Sequence, residues 1–139
     1  MIFQLIYTCA LQSTVSCQDL AEIAKKSAVA NEARNITGML LCKDGSVLQV
    51  LEGQKEDVEV LYDKIQKDNR VTNLIVLLQR MAEKREFPEW SMGYRNASDG
   101  GEAFDLSAIS MPEALPTEPS EELRTISRTF ARVNGISAA

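Results

Sequence analysis

The sequence predicts an α+β fold: a mixed sheet with two helices on one face and a C-terminal helical extension on the other. Three observations lead there. Short runs rich in Val, Ile and Leu alternate with two stretches of helical apolar period, in the order βαββαββ. Asp44-Gly45 separates two of the apolar runs, a pairing that favours a tight hairpin because the turn needs positive φ. Two helices can cover one face of such a sheet, and its other face is also apolar (Ile2, Ile6, Leu48, Val50). That second face needs its own cover, and an amphipathic stretch near the C-terminus can supply it.

Taken in order, Ile2 to Thr8 reads as a strand with Phe3, Leu5 and Tyr7 on one face. Ser16-Cys-Gln-Asp19 fits a capping box and starts a helix. The buried stripe of that helix, Leu20, Ile23, Ala24, Ser27, Ala28 and Asn31, turns polar toward its end. Ile36 to Cys42 and Ser46 to Glu52 form the hairpin. In the second of these strands Val47, Gln49 and Leu51 share a face, so the Gln49 amide stands in a run that is apolar on both sides. A buried amide without partners costs about 1–3 kcal/mol, so Gln49 must hold something.

Gln54 to Lys67 is the second helix, with Val58, Leu61, Tyr62 and Ile65 as its stripe. Continuing that stripe leads to Asp68 and Asn69, with Arg70 next. Two helices whose stripes both end in polar groups suggest a slot between them for a ligand with a polar tail. Leu74 to Leu78 reads as a strand buried on both faces. Phe87 to Tyr94 is the last strand, with Trp90, Met92 and Tyr94 on one face. The first six elements make the split βαβ, or ferredoxin-like, arrangement. From Asn96 onward Gly and Pro punctuate the chain until Pro119 to Val133, an amphipathic helix with Arg124, Arg128 and Arg132 on one side. Residues 1–96 thus read as one domain and 97–139 as a helical cap or output extension.

Composition limits the chemistry. A net charge of −5 and a pI near 4.8 argue against a nucleic-acid surface. No apolar run approaches the roughly 20 residues that cross a bilayer, and the first residues show no basic leader or cleavage site. The expectation is a cytoplasmic protein with three reduced, mostly buried thiols, Cys9, Cys17 and Cys42. With no histidine, Ser-His and Cys-His nucleophile pairs are absent and no metal cluster suggests itself, so a small hydrolase is disfavoured.

The pieces together resemble the BLUF domains, blue-light sensors that use flavin. The resemblance rests on Leu5-Ile-Tyr7, Asn35-Ile-Thr-Gly-Met-Leu41, Leu48-Gln-Val-Leu-Glu-Gly53, Ile65-Gln-Lys-Asp68 with Arg70, and Phe87-Pro-Glu-Trp-Ser-Met92. It implies FAD, with FMN open because the ring contacts are common to both, held non-covalently between the helices. Tyr7 and Gln49 match the photoactive pair, and Trp90 and Met92 the last-strand pair, of which either one can lie near Gln49. Asn31 matches the residue that bonds the flavin carbonyl edge, and Ser27 a helix position near the ring. Ile23, Leu40 and Ile65 match apolar walls, and Asp68 and Arg70 the polar side. Val71, Leu48 and Cys42 depart from residues common in the family (His, Phe and Tyr), which bears on cofactor grip and photocycle speed.

The resemblance further implies a non-enzymatic photoreceptor. In it, light-driven electron and proton transfer from Tyr7 rearranges the Gln49 amide. An amide suits this role because it both donates and accepts hydrogen bonds. No enzymatic output domain is expected after Asn96. Signalling through an unidentified protein partner, with homo-oligomerisation, is therefore expected. The rival reading is a flavin-free ferredoxin-like binding or dimerisation module in which Gln49 and Asn31 only satisfy core hydrogen bonds.

Overall fold

The computed structural model describes residues 1–88, 93–96 and 120–133. Its elements are β1 (Ile2–Leu11), α1 (Cys17–Ala33), β2 (Thr37–Lys43), β3 (Ser46–Gly53), α2 (Lys55–Gln66), β4 (Val71–Ala82), β5 (Gly93–Asn96) and α3 (Glu121–Val133). The strands form one five-stranded mixed sheet in the order β4-β1-β3-β2-β5. Every neighbouring pair is antiparallel except β2 and β5, which run parallel.

Local chemistry sets the connections. The Asp44-Gly45 turn adopts φ of 48° and 87°, the positive values that join β2 to β3. At Gly38 the backbones of β2 and β3 approach so closely that a Cβ would stand 1.9 Å from the Val50 carbonyl oxygen, which only glycine permits. The capping box at α1 is complete: Asp19 N–H donates to Ser16 Oγ at 3.1 Å, and Ser16 N–H to Asp19 Oδ2 at 3.0 Å.

The sheet separates two cores. On one face Phe3, Leu5, Tyr7, Leu40, Val47 and Leu51 pack beneath Leu20 and Ala24 of α1 and Val58 of α2. On the other, Ile6, Met39, Leu41, Leu48 and Val50 pack against Phe87 and against Leu123 and Phe130 of α3. The C-terminal helix therefore covers the second face, as the apolar patterning predicts.

A polar network fixes where α3 begins. The buried Glu52 carboxylate accepts from Gln4 Nε2 at 2.9 Å and from the Glu86 and Phe87 N–H groups at 2.8 Å each. Glu86 in turn accepts from Gln4 Nε2 at 2.8 Å and from Ser120 N–H at 2.5 Å. Ser120 Oγ caps the helix by accepting from Leu123 N–H at 3.1 Å. Arg80 closes the circuit, donating to Gln4 Oε1 at 2.8 Å and lying 3.4 Å from Glu122. Burial raises the Glu52 carboxyl above its usual range, while the three donors pull the other way.

Four expectations need correction. The run Leu74 to Leu78 is not buried on both faces: β4 is longer and lies at the sheet edge, where Ile75 is 59% and Leu77 44% exposed. Its pairing with β1 slips twice, between Ile6 and Tyr7 and between Thr8 and Ala10, and Asn73 takes a φ of 55°. The last strand does not start at Phe87, which lies in a turn and is held by Glu52; β5 covers Gly93–Asn96. Helix α3 starts after Pro119, behind its Ser120 cap. The cysteines are not three thiols either. Cys17 and Cys42 form a disulfide, because α1 brings its first residue over the end of β2, and Cys9 alone keeps a buried thiol.

Candidate functional site

Parity and register bring the central residues together. Tyr7 on β1, Gln49 on β3 and Leu40 on β2 occupy one rung of the sheet and face the two helices. The Tyr7 hydroxyl donates to Gln49 Oε1. Both residues are buried, at 1% and 8% exposure. The Tyr7 ring also meets Tyr62 of α2 edge-on, with centroids 5.2 Å apart at 61°.

Burial pushes the Tyr7 phenol well above its ordinary pKa, with the neighbouring Cys9 and Tyr62 adding to the shift. Tyr7 is accordingly a neutral hydrogen-bond donor at any physiological pH. Burial likewise pushes the Cys9 thiol up to about 12, which makes it a poor nucleophile.

Above this rung lies a cleft between α1, α2 and the sheet. It holds about 660 Å³ between its walls, including the part open to solvent. Ile23, Ser27 and Asn31 line it from α1, Ile65 from α2, and Leu40, Gln49 and Tyr7 from the sheet. Asp68 and Arg70 also line it. Arg70 donates to Asp68 through Nη2 at 2.6 Å and through Nε at 2.9 Å, and these bonds hold the Asp68 carboxyl below its usual range. Asn31 is buried, so the polar end of the α1 stripe turns inward rather than fraying into water.

All eight residues expected around a cofactor thus border one cleft, together with Tyr7. Trp90 and Met92 lie outside the described residues. Sequence reasoning missed Cys9, Val47 and Val71 as lining residues, and missed the contact of Tyr62 with Tyr7. Strand parity signals the first two, since Cys9 follows Tyr7 by two and Val47 precedes Gln49 by two.

The donor set suits a flavin. An isoalloxazine is a flat, largely apolar body with a polar edge. Here the walls are aliphatic, and an amide-bearing Asn and Gln, with a carboxylate-guanidinium pair, supply hydrogen bonds.

Fold and site define a ferredoxin-like α+β domain with a cleft for a flat ligand under two helices. Family comparison names it. Residues 2–93 match the model of BLUF, sensors of blue-light using FAD. The chain belongs to this family and is a blue-light-sensing, flavin-binding domain of it.

Among similar proteins, a photoactivated adenylate cyclase subunit alpha-like protein FB of Euglena gracilis is 35% identical over 107 residues. That match spans 77% of this chain but only 9% of the relative's length. The blue light- and temperature-regulated antirepressor BluF of Escherichia coli (strain K12) is 29% identical over 83% of this chain and 26% of its own length. Among solved structures, BlsA in its photo-activated state is 34% identical with a TM-score of 0.65, covering 69% of this chain and 70% of BlsA. The dark-state structure of the BLUF protein BlrB is 25% identical with a TM-score of 0.69, covering 95% and 96%.

Proposed function

We propose that residues 1–96 form the photosensory unit, that Tyr7 and Gln49 are its switch, and that residues 97–139 are the cap through which it signals. The observation that carries this reading is the buried Tyr7 hydroxyl donating to the Gln49 amide beneath a cleft lined by Asn31, Ser27, Asp68 and Arg70. A bound flavin, FAD or FMN, supplies blue-light absorption and a strongly oxidising excited state.

The chain's own residues do the rest. Tyr7 stays protonated until it is oxidised, because its burial disfavours phenolate. Losing an electron makes its phenolic proton acidic, and this hydroxyl already donates to Gln49 Oε1. When Tyr7 recovers both electron and proton, the amide can settle with donor and acceptor ends exchanged between tyrosine and ligand. Asn31 and Ser27 orient the ligand edge, Ile23, Leu40 and Ile65 exclude water from its faces, and Asp68 with Arg70 meets its polar side. Trp90 and Met92 belong to the proposed photoactive set. The domain itself catalyses no turnover. It acts in the cytoplasm as a homo-oligomer that exchanges contacts with a protein partner.

The test is spectroscopic. Purified protein is expected to be yellow, or to take up FAD, and to show a reversible red shift under blue light. Tyr7→Phe and Gln49→Leu are each expected to retain flavin and lose the shift. A mutant that still shifts would remove that residue from the switch.

A further inference from the structure

We propose that Cys17 and Cys42 form a reversible thiol-oxidation site that fastens one wall of the cleft to its floor; its link to ligand grip rests on the function proposed above. Cys17 is the first residue of α1 and Cys42 lies near the end of β2, their Cα atoms 5.8 Å apart and their sulfurs bonded. The same helix carries Ile23, Ser27 and Asn31 into the cleft, and Leu40 lies two residues before Cys42 on the same strand face. The bond therefore couples the α1 wall to the sheet floor.

Helix α1 rests on the sheet through few fully buried side chains. Of its 17 residues only Cys17, Leu20, Ala24 and Asn31 are buried. One covalent link at its start thus removes a large share of its freedom to shift.

The site is also built for exchange. Cys17 sits directly behind the N-cap Ser16, where helix N–H groups favour a thiolate. An open groove formed by residues 11–18 with Asp44 and Gly45 reaches Cys17. Cys42 is fully buried and lies against the Cys17 sulfur. Cys9 borders the ligand cleft and not this groove.

The co-reactant is a low-molecular-weight disulfide such as oxidised glutathione. The Cys17 thiolate attacks one of its sulfurs, breaking that S–S bond and releasing one thiol, which takes up the proton Cys17 lost. The Cys42 thiolate then attacks the Cys17 sulfur of the mixed disulfide, breaking that S–S bond and releasing the second thiol, which takes up the proton Cys42 lost. Two electrons pass from the cysteine pair to the reagent, and excess dithiol runs the same steps in reverse. A reducing compartment thus keeps the pair as thiols, and an oxidising one closes it.

The experiment uses the full-length chain in glutathione buffers of graded ratio, with thiol counting by alkylation and mass, and with amide exchange along α1. The expected result is one transition that gains two alkylatable thiols on reduction, with at least tenfold faster exchange in the first turns of α1. Flavin dissociation should accelerate in the same range. Cys17→Ser should abolish the transition; because the main comparison is between redox states of the unaltered protein, a misfolded variant does not blur it. A pair that never oxidises, that stays closed until the fold melts, or that closes without slowing α1 exchange overturns the proposal. If the protein binds no flavin at all, the thiol and exchange readouts still decide the redox site, and only the proposed function falls.

Discussion

Replacing Glu52 with Gln tests whether its carboxylate fixes the start of α3. The wild-type carboxylate accepts from Gln4 Nε2, Glu86 N–H and Phe87 N–H, all at 2.9 Å or less. Hydrogen bonds to a charged group are each worth about 1.5–3 kcal/mol. Gln can keep its one oxygen toward Gln4 and Glu86, but its NH2 then faces the Phe87 N–H. One charge-assisted bond is lost and a buried donor is orphaned, while the burial of a charge is relieved. The net cost is expected to be about 2 kcal/mol at pH 7, and about 3–5 kcal/mol for Glu52→Ala, which strips all three donors.

The sign of the pH dependence is fixed as well. Burial raises the folded-state pKa of Glu52 above its unfolded value, so the folded state binds the proton more tightly. The wild type therefore loses stability as pH rises from the unfolded value through the folded one. Glu52→Gln lacks that limb, so its deficit shrinks across the window and then levels off. Urea unfolding followed by helical circular dichroism at pH 4 to 8 measures both effects. A variant within about 0.5 kcal/mol of wild type at every pH would refute the reasoning.

Three further outcomes follow from other parts of the molecule. Gly38→Ala drives a methyl against the Val50 carbonyl and is expected to cost about 3 kcal/mol or more, read as a lower urea midpoint. Asp68→Asn breaks a pair whose side chains are 29% and 47% exposed. It should therefore change stability by under about 1 kcal/mol while weakening flavin retention severalfold in equilibrium dialysis. The Asp68 pKa is lowered in the fold, so its small contribution is present above the unfolded value and is lost as pH falls through the folded one.

Much of the fold was legible because its signals are local. The Asp44-Gly45 turn, the Ser16 to Asp19 box and the α2 stripe each need only a few neighbouring residues. The register that puts Tyr7, Gln49 and Leu40 on one rung is not local, and it was the resemblance that joined them. Apolar Ile75 and Leu77 mislead for a related reason. They stand on an edge strand whose pairing with β1 slips twice, and no periodicity reports an edge or a slip.

The disulfide was hidden by sequence distance, since its partners stand 25 residues apart on elements whose packing is tertiary. Glu52 was the avoidable omission. It shares a face with Leu48 and Val50, and a carboxylate on an apolar strand face announces a network as clearly as Gln49 announces a ligand. No helix among the described residues is long and apolar enough to cross a membrane.

The sheet order has a mechanical consequence. Strands β1 and β3 are each bonded on both sides, and they carry Tyr7 and Gln49 at facing positions. The same holds for β2, so a change that started at Tyr7 and Gln49 would meet doubly bonded backbone before it reached the outer strands β4 and β5. Of those two borders, β4 is the long strand whose pairing slips twice and β5 the four-residue one.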